Sequence, residues 1–369
     1  MVGGGIAGLS LATALHHQGY TPELVERSKA WPAFGAGIIT PANGMRALHA
    51  LGVGEVIDLT SAVIRRNGFF DQQGELLCET DLEDLWRGVG RSVGITRVRL
   101  QEALVPGASG IPVRLGVSLE TLTQDDDLVR VGFSDGTSKN YDLVVGADGI
   151  HSTVRKLALS PSYSPSYAGM ISRRSLIHTR PPGIVDSIVI LIGEGCIFGV
   201  APMGEGYAYG FGVTREERSE DPLKGRLERF RRRFAGFGGP VPAFLDTLQS
   251  DDQLHVGPIE SVGLDEWYRG RVVLIGDAAH AGPPYLTEGG CMAMEDALVL
   301  ADVLRKEGSI KSALEAYVRR RRPRVDWVQE QSLAQIQVLL QPLEVRNEVL
   351  REKGDQLYRG RFQPLIPEP

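Results

Sequence analysis

Cysteine is scarce: Cys78, Cys196 and Cys291 stand far apart in 369 residues. An odd, widely spaced set neither makes a disulfide framework nor has metal-ligand spacing, so reduced thiols, a cytoplasmic setting and no metal are expected. Long apolar runs are missing too. No stretch reaches the roughly 18 residues a membrane-spanning helix needs, and no hydrophobic leader precedes the first glycine turn. Positive charge is not in excess: 40 Lys and Arg against 46 Asp and Glu leave a net charge of −6, which argues against a nucleic-acid partner. The basic run Arg319-Arg320-Arg321-Arg322 precedes Pro323 and reads as a solvated helix end, where cations suit the dipole. Repeats and any Ser/His/Asp cluster are absent. Only the tail from Gly360 to Pro369, with three prolines, reads as loose.

What is present is an ordinary globular composition, 42% hydrophobic and 23% charged, long enough for two domains or one large composite. The most informative segment runs from Val272 to Ala297. Val272–Ile275 reads as a buried strand, Gly276 as a sharp turn, and Asp277 stands at the strand's carboxyl end. Gly289-Gly290 then opens a helix starting around Cys291. A carboxylate beside a bare helix N-terminus suits sugar hydroxyls and anionic or carbonyl oxygens.

A second signal sits at the start. Gly3-x-Gly5-x-x-Gly8 precedes the helical pattern Ile6-Leu9-Leu11-Ala12-Leu15, and Glu26 follows about 20 residues on, at the end of Leu24-Val25. In such a turn the first glycine bends the chain, the second admits a pyrophosphate, and the third lets helix and strand pack closely. Only Met1-Val2 stand for the leading strand, so several of its residues are expected to be missing from the sequence.

Along the chain, Thr40-Pro41 starts a helix through Leu51, and short strand-like runs at 61–80 are broken by Gln72-Gln73-Gly74. A helix is expected from Arg97 to Val105. Strands follow at 112–123, 128–134 and 140–146, with Asp135-Gly136 as a hairpin turn. From about 165 to 260 the grammar becomes antiparallel, with strands at Ile184–Ile192, Cys196–Met203, Tyr207–Val213 and His255–Val262 and a basic helix at Leu223–Phe234. The predicted fold is therefore α/β. A discontinuous Rossmann-like domain (1–60, 93–160 and 263–330) carries an inserted, mainly antiparallel sheet domain (61–92 and 161–262) and a C-terminal helix and tail (331–369).

A third motif, Asp142-Leu143-Val144-Val145-Gly146-Ala147-Asp148-Gly149, repeats the strand, glycine and aspartate pattern. With the other two, in this order and over nearly the whole chain, it resembles the single-component FAD-dependent aromatic hydroxylases, such as the salicylate, 3-hydroxybenzoate and urate hydroxylases. The resemblance implies FAD as cofactor, with Gly3, Gly5 and Gly8 at its pyrophosphate and Glu26 and Arg27 at the adenosine end. It places Arg97, of Arg97-x-x-Leu100-x-x-x-Leu104, near the cofactor and the Val117 backbone near adenine. Asp148 is linked with FAD and NAD(P)H, and Asp277 with the ribityl or pyrophosphate region. Pro284, Thr287, Gly289, Gly290 and Cys291 belong to the flavin-ring loop. Gly35-Ala36-Gly37-Ile38-Ile39 and Asn43-Gly44 match a further loop and helix, with Ile39 offering its backbone.

Two departures stand out. Thr287-Glu288-Gly289-Gly290 replaces a common Gly-Gln-Gly-Gly, so a carboxylate near the ring would disfavour the anionic reduced flavin unless it is protonated or turned away. Arg173-Arg174 replaces a Trp-Arg pair, so only Arg174 matches.

The implied reaction uses NADH or NADPH and O2, forms a flavin hydroperoxide, and hydroxylates an electron-rich aromatic ring. Tyr209 and Tyr285 are expected to polarise a substrate hydroxyl, and Arg174 to hold an acidic group. Phe198, Met203, Tyr207 and Phe211 are either further pocket residues or a plain sheet core. His280, three residues from Asp277, looks like half of a dyad, but a structural role is favoured. A dehydrogenase of the same fold and a flavin-binding accessory protein remain alternatives. A halogenase is disfavoured because Trp31, Trp86, Trp267 and Trp327 are too dispersed for its signature, and a plain NAD-binding protein would not need the later motifs. A monomer and a homodimer fit equally.

Overall fold

In the computed structural model, which describes residues 1–31, 36–159 and 161–369, the first sheet is assembled around two residues. Val2 bridges Val25 on one side and Gly146 on the other, both in parallel. It thereby joins the pair Leu24–Glu26/Val113–Leu115 to the pair Val144–Gly146/Val272–Leu274. The bonds are ordinary ladder bonds: Val2 N–H donates to Val145 O (2.9 Å) and Ala147 N–H to Val2 O (2.8 Å). The strands Val144–Gly146 and Val272–Leu274 are buried throughout, as a parallel sheet covered on both faces requires. Helix α1 (Ile6–His17) packs on this sheet, and α2 (Ala42–Ala50) lies farther along. An antiparallel hairpin pair, Leu119–Gln124, Val129–Phe133 and Ser138–Tyr141, stands alongside, with the Asp135-Gly136 turn where the sequence put it.

The second sheet has seven strands: β1 (Arg66–Asp71), β2 (Leu76–Asp81), β3 (Ser166–Ile177), β4 (Ser187–Ile192), β5 (Cys196–Pro202), β6 (Ala208–Arg215) and β7 (His255–Ser261). Their spatial order is β7-β3-β6-β5-β4-β1-β2. All pairs are antiparallel except β4 with β1. Alternation along each strand gives the sheet two faces. On the back face, helices Arg226–Phe234 and Val241–Thr247 press Phe230, Phe234 and Phe244 against Phe198. Gly210 and Gly212 of β6 make room for these rings: a Cβ would come within 2.2 Å of Phe244 and 2.6 Å of Phe234. The other face turns to the cavity described below.

β3 is the long strand that the sequence reading missed. A bulge between Tyr167 and Ile171, with Gly169 at φ +76°, breaks its period, and Arg173-Arg174 hide its apolar character. Arg173 is buried by pairing with Glu216 (2.9 Å) and Thr214 (2.8 Å), which makes a charge tolerable inside a strand.

Three helices close the molecule: α3 (Gly289–Lys306), α4 (Ile310–Leu339) and α5 (Leu343–Phe362). The expected helix end at Pro323 is corrected, since α4 runs straight through that proline. An internal proline costs about 3 kcal/mol. Here Arg321 and Arg324 flank it and bind buried Glu295 and Asp296 of α3, which holds the helix on course. Arg321 is therefore fully buried rather than solvated. The tail is likewise packed, not loose: Leu365 is fully buried, Arg46 donates to Ile366 O (2.7 Å), and Arg324 donates to Leu365 O (2.7 Å). On α5, Gly354 rests directly over Cys78 of β2, where a Cβ would fall 2.2 Å from the sulfur. No helix among the described residues is long and apolar enough to cross a membrane.

Candidate active site

Between the two sheets lies a cavity of about 730 Å³. One wall comes from the glycine turn. α1 starts at Gly5 with no side-chain cap, and Gly5, Ile6 and Ala7 line the cavity. A Cβ on Gly5 would meet nothing within 4 Å, whereas one on Gly8 would strike Gly3 O at 1.9 Å and one on Gly3 would strike Ala147 O at 2.3 Å. The open glycine faces the cavity and the two tight ones pack the turn. Glu26 braces the turn from behind by accepting from Gly4 N–H (2.7 Å) and Ser28 N–H (2.8 Å). Burial alone would raise its carboxyl, but these bonds and nearby Arg27 hold it below the ordinary value. Gln101, which the sequence reading passed over, donates to Gly4 O (3.0 Å) from the same helix as Arg97. Its position one turn after Arg97 was the available signal.

The opposite end of this wall is the start of α3. Asp277 is exposed to the cavity, and the loop Pro283–Gly290 lines it. Thr287 has φ +58°, which is strained for a β-branched residue, and it turns the chain so that α3 begins with Gly289-Gly290. A Cβ on Gly289 would meet nothing within 4 Å. Two uncapped helix starts therefore face one space, each free of side-chain bulk at the glycine that meets it.

Glu288 is buried at the head of α3. Asn43 Nδ2 donates to its Oε2 (2.9 Å), and its Oε1 has no partner. Burial pushes the carboxyl up to about 8, with Glu295 adding to the effect and Asn43 opposing it. Burial thus favours the protonated alternative raised from the sequence.

His280 lines the same cavity but turns its Nε2 to Asp296 Oδ2 (2.5 Å), so the Asp277 dyad does not form. Asp296 also accepts from Arg321 Nε (2.8 Å) and Gly276 N–H (2.9 Å). Burial would raise this carboxyl, but the facing imidazole and guanidinium hold it far below its ordinary value.

The sheet supplies the second wall. Arg174, Tyr209 and Phe211 reach the cavity, joined by Tyr285 from the loop. Burial pushes the Tyr209 hydroxyl up to about 12 and raises that of Tyr285 as well, so both are neutral donors. Arg174 Nε, Tyr285 Oη and Asn67 Nδ2 are buried without partners. Asn67 was missed because a lone polar residue in a short strand carries no sequence signal. Phe198 belongs to the back face, Tyr207 stacks on His178 (4.4 Å between centroids), and Met203 packs against Gly37.

Of the residues expected at the cofactor, Gly5, Ile39, Arg97, Asp277, Pro284, Thr287, Gly289 and Gly290 line the cavity. Gly3 and Gly8 stand in the turn behind it, and Asp148, just past the strand Val144–Gly146, turns its carboxylate to the Ser152 hydroxyl and the Thr153 and Val154 N–H groups. Arg27 is exposed and Val117 buried outside the cavity lining, where Val117 N–H donates to Glu26 O (3.0 Å). The Cys291 thiol turns away against Gly44. Gly35 lies outside the described residues.

This fold, with its glycine turn and its cavity between two sheets, is that of the FAD-dependent flavoprotein monooxygenases. The chain belongs to the FAD binding domain family, whose model matches residues 1–332. It is 34% identical over 319 residues to the aurachin C monooxygenase/isomerase of Stigmatella aurantiaca, covering 86% of this chain and 83% of that protein. It is 32% identical over 338 residues to the FAD-dependent urate hydroxylase of Klebsiella pneumoniae, with 88% and 86% covered. The crystal structure of Klebsiella pneumoniae HpxO with FAD and uric acid superposes with a TM-score of 0.92 at 28% identity, over 100% of this chain and 96% of that one.

Proposed function

We propose that this enzyme hydroxylates an aromatic or heteroaromatic small molecule, using NADH or NADPH and O2. The observation that carries the reading is one cavity bounded by the glycine turn and α3 start on one side and by unpartnered polar groups of the sheet on the other. In this reading residues 1–60, 93–160 and 263–330 hold the cofactor, 61–92 and 161–262 hold the substrate, and 331–369 covers the cavity from outside.

FAD, when bound, supplies the redox chemistry, taking reducing equivalents from the nicotinamide and passing oxygen to the ring. The chain's residues do the rest. The open backbone at Gly5, with Gly3 and Gly8 shaping the turn, receives the pyrophosphate, while Glu26, Arg27 and Val117 border the adenosine. Arg97, Asp148 and Asp277 flank the middle of the cofactor. Ile39, Pro284 and the backbone from Thr287 to Cys291 border the ring, with the α3 N-terminus favouring negative charge there. Arg174 Nε holds an anionic or carbonyl oxygen of the substrate. The neutral hydroxyls of Tyr209 and Tyr285 donate to the substrate oxygen that activates the ring, and the isoleucines of β4 and β5 exclude water.

A panel of phenols, hydroxybenzoates, purines and hydroxyquinolines, added to FAD-loaded enzyme, tests this. Stimulated NAD(P)H oxidation with O2 uptake and a product heavier by one oxygen supports it. Turnover that persists anaerobically with an artificial acceptor would make the enzyme a dehydrogenase, and bound FAD with no stimulation would make it an accessory protein.

A further inference from the structure

Strand register sorts the cavity floor into three rows. Asn67 pairs with Ile188, and Tyr209 stands at the same level on β6. The next row runs Phe69, Ile190, Gly199, Phe211, Arg174, and the third runs Ile192, Ile197, Val213, Ser172. Tyr209 marks the cofactor side because its ring packs against Gly37, next to Ile38 and Ile39. Four residue steps lead from Tyr209 to Val213, about 13 Å of strand.

Polarity changes along that distance. The unpartnered groups of Asn67 and Arg174 lie in the first two rows, while the third is aliphatic apart from a small serine. Ile192, Ile197 and Val213 continue into a cluster with Leu339 of α4 and Leu350 of α5. The apolar surface does not stop there. On α5 the ridge Arg346, Leu350, Gly354, Tyr358, Phe362, spaced by four, faces inward, and Val345, Val349 and Leu357 lie on the ridge beside it. These three line the cavity, yet they are 52%, 38% and 41% exposed. Arg346 places its guanidinium on the carbonyls of Gly193 (2.9 Å) and Ile192 (3.1 Å), leaving its stem to the apolar wall. Arg361 also reaches the cavity, beside Tyr358.

We propose that the substrate carries a hydrocarbon tail, its ring held at Arg174 and Tyr209 and its tail running over Ile190, Ile192 and Ile197 to the exposed rim of α5. This rests on the hydroxylase reading above. A compact polar ring would use only the anchored end and leave the aliphatic floor wet. A tail covers that floor and the three rim side chains at once, which explains why exposed aliphatic residues line a cavity continuous with the ring site.

The test uses FAD-loaded, oxidised enzyme without reductant. Dissociation constants are read from the flavin absorbance change for urate and for 4-hydroxyquinolines bearing methyl, propyl, pentyl, heptyl or nonyl at carbon 2. Affinity is expected to rise about fourfold per added methylene until the tail passes the rim, following the usual burial gain per CH2. Val349→Ser and Leu357→Ser, at exposed and fold-tolerant positions, are expected to flatten the dependence for the longest members. Affinity independent of chain length, or urate binding more tightly than the heptyl compound, would overturn the inference. So would a stable dimer that Val349→Ser dissociates, since the rim would then belong to a second copy. If tail-free rings are hydroxylated as efficiently as tailed ones, the enzyme remains a hydroxylase and only the tail is lost. Failure of every ring to stimulate NAD(P)H oxidation would instead strike the functional reading.

Discussion

Two groups of buried polar side chains share helix α3 and differ in one respect. Glu295 and Asp296, in its second turn, have partners on every side: Arg321, Arg324, His280, Asn43 and the Gly276 N–H. Glu288, at its head, has one partner for two oxygens; Tyr285 of the preceding loop, and Arg174 and Asn67 across the cavity, each leave an atom unpaired. Burying a polar atom without a partner costs roughly 1–3 kcal/mol. In the proposed function the saturated group holds the fold, and the unsaturated one is where a ligand completes the bonding.

The largest test of this contrast is Arg321→Met. It strips both Glu295 and Asp296 of a fully buried cation and should cost about 3–5 kcal/mol in urea unfolding. Arg174→Met should leave the urea midpoint nearly unchanged but weaken substrate binding about 10- to 100-fold, read from flavin spectral titration, because a charged hydrogen bond is lost. If the two variants exchange these phenotypes, the contrast is wrong.

Glu288→Gln probes the head of α3 through pH. The folded carboxyl titrates near 8, and the unfolded one near the ordinary 4.5. Between those values unfolding releases a proton, so stability falls as pH rises and levels off above about 8. The slope is at most about 1.4 kcal/mol per pH unit. Glutamine cannot titrate, so the stability difference between Gln and wild type should move in favour of Gln from about pH 5 to 8. Parallel pH curves for the two proteins would show that the carboxyl is not held protonated. The smallest effects are expected from Tyr209→Phe and Tyr285→Phe: each removes one neutral hydrogen bond, about 0.5–1.5 kcal/mol, or up to roughly tenfold in substrate affinity. Unchanged affinity and unchanged coupling of NAD(P)H oxidation to product would remove those hydroxyls from the site.

The three glycine-bearing turns were legible because their geometry is local. Gly3, Gly5 and Gly8, the Val144–Gly146 strand before Asp148, and Gly276-Asp277 each fold within a few residues, so spacing alone betrays them. Val2, an isolated bridge rather than a strand, still took the place expected of the leading strand, because ladder bonds depend on backbone and not on length. The substrate side depends on long-range pairing. β3 hides behind a bulge and two arginines, one of which, Arg173, has its partners some 40 residues away. α4 passes Pro323 only because α3 offers carboxylates to the arginines on either side. The packed tail depends on Arg46 and Arg324, and neither arginine is near it in sequence. Glu288 was flagged as a departure, yet its protonation required knowing that it is buried.

The contact between Gly354 and Cys78 sets a tolerance. The rim side chains Val345, Val349 and Leu357 ride on a helix whose height above β2 is fixed by the absence of a single carbon atom. Adding it, as in Gly354→Ala, would lift α5 while leaving the identity of every lining residue unchanged. The mouth of the cavity would widen or shift with no change in its chemistry. Substrate size could thus be retuned from a position that touches neither substrate nor cofactor, so residue 354 acts as a spacer for the entrance.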